Sequence, residues 1–240
     1  MHIYRFPATR VGFYTAVFDA YADKEAFLSC SDRQFSLEDT ERAVTPDEEK
    51  ALRVKRKLKQ YDKDSLHDID YVLRSDGKDK ENAAFRYIRC ICRAKGAVRE
   101  RFADPDVFKA QQYRHKVAWE MDKMYGLLRF AETESGVLYA PYEPDCDLTE
   151  LIVWHFIARF SGERFVIHDK KRKKAAVYNG KDCIVTEFHD PDLYLSADEK
   201  DFESLWKTYY DAVNIQSRPH EKQMKGSMPV RYWKYLPEKH

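Results

Sequence analysis

The sequence lacks the residue patterns that mark several large classes of protein. It has only 8 glycines in 240 residues. No Walker A lysine loop, GxGxxG or GxSxG occurs, so the common fingerprints of nucleoside triphosphatases, dinucleotide enzymes and serine hydrolases are excluded. The five cysteines, Cys30, Cys90, Cys92, Cys146 and Cys183, are scattered, odd in number and free of any CxxC. Cys90 and Cys92, two apart on a helix, point to different sides. Zinc and disulfide frameworks are not expected, and reduced thiols of a cytoplasmic protein are. There is no three-cysteine cluster of the kind that holds an iron–sulfur centre, and no HxE…PCxxC deaminase pattern. No cofactor and no metal is therefore expected. No run approaches the roughly 18 apolar residues of a membrane span, and the first residues lack a signal-peptide core. Neither membrane insertion nor secretion is expected. An excess of charge is missing too: 42 basic residues face 41 acidic ones. Any site for a polyanion must be a local patch.

What is abundant is aromatic and charged residues, 14% and 35% of the chain. The length fits one large domain with a sizeable core. Residues 2–6 read as a short strand. A helix follows over about 10–22, with Tyr14, Val17, Phe18 and Tyr21 as one buried stripe. The next twenty residues are polar and weakly patterned, and a loop is expected there, with a short strand near 34–37. Thr45, Pro46 and Glu48 form a capping-box start for a helix that carries seven cations between Lys50 and Lys63, around Ala51, Leu52, Val54 and Leu58. Helices are expected over 65–73, 79–102 and 104–125, the second weakened by Gly96.

The texture changes after about residue 125. Two runs, 127–133 and 136–142, form a hairpin. A helix over 147–160 follows, started by Asp147 and Glu150, then strands at 164–168, 175–178 and 183–188. Ser196 and Glu199 open a last helix to about 213. The expected fold class is α+β, a single domain over 1–240. It has a mostly helical half to about 125, then a ββαβββα block with an antiparallel sheet, because hairpin spacing leaves no room for parallel crossovers.

Each stretch with chemical potential has a plain alternative. Arg53, Arg56 and Lys57 on the basic helix could track a phosphate backbone or simply solvate a helix face. Lys170, Lys171, Arg172, Lys173 and Lys174 form the densest basic run, either a phosphate contact or a soluble turn. Arg231, Tyr232 and Trp233 interleave rings with positive charge, which suits base stacking; equally, Tyr232, Trp233 and Leu236 could pin the C-terminus to the body. Asp145, Cys146 and Asp147 precede a helix, where the alternative is that Asp147 caps it and Asp145 is solvated. His155 shares a stripe with Leu148, Leu151, Ile152 and Phe156, and His168 with Asp169 ends a strand. Asp145, His155, His168 and Asp169 are the candidates for acid–base work, provided the sheet brings them together.

Six segments occur in a fixed order: 12–21, 124–130, 139–145, 155–160, 166–169 and 228–233, the last reading Met-Pro-Val-Arg-Tyr-Trp. With them the chain resembles an uncharacterised bacterial family of DNA metabolism proteins. That family is encoded beside a radical-SAM protein assigned to DNA modification or repair, and related domains are fused to uracil-DNA-glycosylase-like domains. The resemblance covers nearly the whole chain. It implies a DNA-associated accessory protein working with a radical-SAM partner, and it carries over no catalytic residue. Relatives often show Pro-Asp-His-Asp where this chain has Cys146 between Asp145 and Asp147, and a histidine is expected where Asp122 stands. Both departures count against a histidine metal site. The alternative reading is a nucleobase- or sugar-processing enzyme using the Asp/His groups. A third is a module that binds only the radical-SAM protein.

Overall fold

A computed structural model describes residues 1–31, 36, 38–134, 136–189 and 225–239. The strand expected near 34–37, except for Ser36, and the helix expected over 196–213 lie outside the described residues. The protein is a mixture of helix and strand, with helices prevailing in the N-terminal half and a mostly antiparallel sheet later. It divides into two compact units, Met1–Ala118 and Trp119–His240.

The first unit is built on three parallel strands, β1 (His2–Arg5), β2 (Ala26–Ser29) and β3 (Thr40–Ala43), in the order β2-β1-β3. The weakly patterned stretch after the first helix thus contributes two strands instead of a loop. Helices α1 (Arg10–Ala20), α2 (Glu48–Tyr61), α3 (Ser65–Arg74) and α4 (Lys80–Ala94) cover them, and α5 (Pro105–Leu127) follows. The unit boundary falls within α5. Phe13, Leu58, Ile69, Phe85, Tyr87, Ile88 and Ile91 fill the core. Edge strand β2 is closed by Asn82 of α4. Its side-chain oxygen accepts from the Leu28 amide and its nitrogen donates to the Leu28 carbonyl, each at 2.8 Å. That pairing replaces the missing strand and satisfies buried backbone.

Local details depart from expectation. On α1 the buried face is Phe13, Tyr14, Ala16, Val17 and Ala20, while Tyr21 is 44% exposed. Helix α2 is capped by Asp47, whose side chain accepts from the Lys50 amide at 3.0 Å; Thr45 does not cap it. Ala51 and Leu58 are buried as expected, but Leu52 is exposed. Helix α4 stops at Ala94 because Lys95 turns into the left-handed region at φ 50°. It does not run to Phe102. Asp104 does start α5, accepting from the Asp106 amide at 3.0 Å.

Gly12 allows a close approach at the start of α1. A Cβ there would lie 2.6 Å from the Pro7 carbonyl oxygen. Alanine is the better helix former by about 1 kcal/mol, but overpacking against backbone costs about 1–3 kcal/mol. Gly12→Ala is therefore expected to lower stability by about 1 kcal/mol net. A thermal melt with an unchanged or higher midpoint would show that the Pro7 turn yields freely.

Asp68 organises the other end of this unit. It is fully buried on α3. Arg99 donates to both its oxygens at 2.8 Å, Arg114 donates at 2.8 Å, and the Tyr87 hydroxyl at 3.3 Å. Three chain segments meet on one carboxylate.

The second unit holds a five-stranded sheet of β4 (Ala131–Glu132), β5 (Leu138–Tyr142), β6 (Phe165–Asp169), β7 (Lys174–Tyr178) and β8 (Cys183–Glu187), in sequential order. Helix α6 (Thr149–Arg159) lies between β5 and β6 in the chain. Neighbouring strands are antiparallel except β5 and β6, which run parallel with Tyr139 beside Val166 and Tyr142 beside Asp169. This corrects the expectation of a purely antiparallel block: α6 is long enough to be the crossover that a parallel pair needs. Phe130, Phe156, Phe160, Phe165 and Tyr178 form a chain of edge-on and tilted rings under the sheet.

Candidate nucleic-acid interface

The parallel pair decides where the polar residues of the second unit collect. In sheets of this kind, loops leaving the carboxyl ends of parallel strands gather beside the following helix. Here β5 leads into residues 143–148, and β6 leads into the turn 170–173. The C-terminal 3-10 turn, Val230–Tyr235, joins them.

Asp145 draws two of the predicted basic stretches together. Its Oδ1 lies 3.8 Å from Lys171 Nζ and its Oδ2 lies 3.4 Å from Arg231 Nη2. Arg172 faces inward. It donates to Asp169 at 2.9 Å, to the Pro144 carbonyl at 3.2 Å and to the Asp145 carbonyl. Asp169 is fully buried, and burial pushes its carboxyl up; Arg172 pulls the other way without reversing the shift. Lys174 pairs with Asp147 at 2.5 Å and Glu150 at 3.0 Å. So Asp147 is engaged with Lys174, and Asp145 is not simply solvated; both hold cations. Lys170, Lys171 and Lys173 remain exposed on the turn, and Lys173 supplies its left-handed residue at φ 51°.

Beneath this surface sits Glu120 of α5, 1% exposed. Its carboxylate accepts from the Asp145 amide at 2.8 Å, the Cys146 amide at 2.7 Å and the Tyr232 hydroxyl. Arg231 lies 3.6 Å away. Burial pushes the Glu120 carboxyl up, but the Tyr232 hydroxyl and the two amides outweigh it and hold the group below its ordinary range. Tyr232 is itself 3% exposed, and burial together with donation to Glu120 raises its phenol. Its ring is thus occupied in packing and not offered to a base. Leu236, four residues on, is fully buried too, as the pinning alternative requires. Trp233 is half-buried, donates to the Met228 carbonyl at 2.9 Å and has Lys239 Nζ 5.1 Å from its ring centre. Lys234 reaches Glu143 at 2.5 Å, and Tyr235 donates to the same carboxylate at 2.6 Å. Lys234 first, then Tyr235, holds Glu143 below its usual range.

The acid–base candidates have different surroundings. His155 is exposed on α6 and stacks on Tyr125 with ring centres 4.2 Å apart; the buried face is Thr149, Ile152, Val153 and Phe156. His168 is 1% exposed, with its Nδ1 2.7 Å from the Tyr139 hydroxyl and Phe188 edge-on at 4.9 Å. Asp145 is engaged with Lys171 and Arg231, and Asp169 with Arg172. Among the described residues, the side chains close enough together to hold a metal are Cys90, Asp104 and Asp106, not those around Cys146. Arg93 reaches both Cys90 and Asp104 at 3.2 Å, and Arg86 lies 3.6 Å from Asp106. The five cysteines are free thiols. Among the described residues, no helix is long and apolar enough to cross a membrane.

Arg53, Arg56 and Lys57 are exposed on α2 in the first unit, with Arg53 over the Phe18 ring and Lys57 over the Tyr61 ring. Glu120, Glu143 and Lys234 escape a motif search. Only Glu120 leaves a trace in the sequence, a charged residue in phase with Val117 and Met124 at helical spacing.

Residues 78–238 match the family described as a domain of unknown function, DUF4130. No curated protein matches the chain.

Proposed function

Since the chain belongs to the DUF4130 family, which has no assigned activity, we propose that it is a cytoplasmic DNA-associated accessory protein of DNA modification or repair, acting with a radical-SAM partner. The observation that carries the DNA part is the convergence on Asp145 of Lys171 and Arg231, sixty positions apart in the chain. Exposed Lys170 and Lys173 flank Lys171 on the same short turn. Cations held at fixed points on a rigid sheet end suit a phosphate backbone, which is bound chiefly by charge. The inward bonds of Arg172 and Lys174 brace the turn that presents the three lysines. The radical-SAM partner rests on the resemblance of the ordered segments, Met228 to Trp233 above all.

The test is a mobility shift with single- and double-stranded DNA over a series of salt concentrations, run with and without the co-expressed radical-SAM protein. Replacing Lys170, Lys171 and Lys173 together by Gln is expected to weaken binding of all sequences alike. It should also flatten the dependence of log K on log salt by about 0.9 for each duplex phosphate left without its cation. Binding that ignores salt, or a triple variant that binds as wild type does, removes the support for this interface. Co-purification with the radical-SAM protein and no affinity for DNA would leave a protein-binding module instead.

A further inference from the structure

In the Met1–Ala118 unit, α1, α2 and α4 leave an open groove of ≈ 460 Å3. Val17, Leu58 and Ile88 give it an apolar floor, and Phe18, Tyr21 and Tyr61 stand in its walls. Three cations overhang those rings, Lys50 among them with its Nζ 5.6 Å from the centre of Phe18. The Arg53 guanidinium carbon is 5.5 Å from the centre of Phe18, and Lys57 Nζ is 4.7 Å from the centre of Tyr61. The acid at the rim, Asp19, is bound by Lys50 at 2.8 Å. Among the described residues, neither Arg53 nor Lys57 has a carboxylate partner, so the rim presents positive charge.

We infer that this groove takes one unstacked base of a single-stranded polynucleotide, with the flanking phosphates on Arg53, Arg56 and Lys57. Flat rings accept any base by stacking, and cations beside them follow the backbone; the combination characterises single-strand sites. Residues 53, 56 and 57 stand at i, i+3 and i+4, which places three exposed cations on one side of α2, roughly 5–6 Å apart. An arginine can also stay stacked over a ring while it binds phosphate. The volume suits a base with its sugar, within the roughly 300–1,000 Å3 of small-ligand sites. The groove shares no residue with the interface around Asp145, so either can fail alone.

The experiment uses the full chain and labelled octamers read by anisotropy: dT8, rU8 and an abasic octamer with the same phosphates. dT8 is expected to bind at least about 10-fold more tightly than the abasic strand, the usual effect of one base stacked on an aromatic ring. Tyr21→Ala should erase most of that difference and leave abasic binding unchanged. Phe18→Leu, which keeps apolar volume, serves as the second variant. Lys57→Gln should weaken both strands and lower the salt slope. Equal binding of rU8 and dT8 fits a groove that reads only base and phosphate, and a preference for either assigns the polymer. Four outcomes overturn the assignment: no binding of dT8 at low salt, equal affinity for dT8 and the abasic strand, wild-type dT8 binding in folded Tyr21→Ala and Phe18→Leu proteins, or loss of the base-dependent difference when only Lys170, Lys171 and Lys173 are changed.

Discussion

Asp68→Asn is expected to destabilise the Met1–Ala118 unit by about 3 kcal/mol, the low end of the cost of breaking a buried ion pair. The carboxylate is fully buried and anchors Arg99 through two bonds and Arg114 through one. Asparagine has nearly the same shape, so the loss is one of charge and of acceptors, with an amide group turned toward guanidinium donors. The two arginine side chains are 36% and 24% exposed. Water can therefore reach them once the partner is gone, which keeps the cost from the upper end of the range. Amides of residues 95–104 should lose protection from hydrogen exchange first, because Arg99 tethers that segment to α3. Urea unfolding followed by circular dichroism gives the size. A loss below about 1 kcal/mol would mean that the ion pairs are worth no more than surface ones. A cycle with Arg99→Met and Arg114→Met then divides the coupling between the two guanidiniums.

In the Trp119–His240 unit the corresponding change is Glu120→Gln, with an expected loss of about 3 kcal/mol. Hydrogen bonds to a charged group are worth about 1.5–3 kcal/mol each and are not additive. This carboxylate accepts from two backbone amides and one hydroxyl. The substitution should release Tyr232, and with it the Val230–Tyr235 turn, so its mark is greater exchange in both 143–148 and 230–236. It also carries a pH signature. The folded carboxyl lies below its ordinary value of 4.5, so the stabilisation is complete above that value and is lost as pH falls through the lower folded one. Wild-type stability should decline in that acid window, and Glu120→Gln should lack this part of the decline. Asp169 has the opposite sign: burial holds its carboxyl up, so the stability it costs when ionised returns on acidification. An acid limb unchanged by Glu120→Gln would move the titration to other carboxylates.

Much of the fold was legible because strong local signals agreed with tertiary structure. The Asp104-Pro105 start of α5 and the turn joining β6 to β7 follow from capping and turn chemistry alone. Strands β2 and β3 were not legible. They are four residues each, and Thr40, Glu41, Arg42 and Ala43 are all exposed, so no apolar alternation betrays a strand held by backbone pairing to β1. His155 reads as part of the buried stripe yet is exposed, because Leu151, Ile152, Val153 and Trp154 are apolar in succession, which leaves the helical phase open. The parallel β5–β6 pair is a matter of topology, which strand patterns do not encode. Of the candidate interface, the basic turn and the C-terminal stretch were visible as composition. Their meeting at Asp145, and the depth of Tyr232, depend on Glu120, whose role only its three-dimensional neighbours reveal.

The boundary between Ala118 and Trp119 also divides the chain's chromophores. All four tryptophans, Trp119, Trp154, Trp206 and Trp233, fall in the second unit, and the first has none. Indole emission is therefore an intrinsic reporter of one unit, with the other followed by its tyrosines. Trp154 is 67% exposed and is expected to emit as a solvated ring, while the half-buried Trp233 should report on the C-terminal turn. Glu120→Gln should shift that emission. If Asp68→Asn shifts its midpoint as well, the two units melt as a single cooperative body; if the midpoint stays, they melt apart.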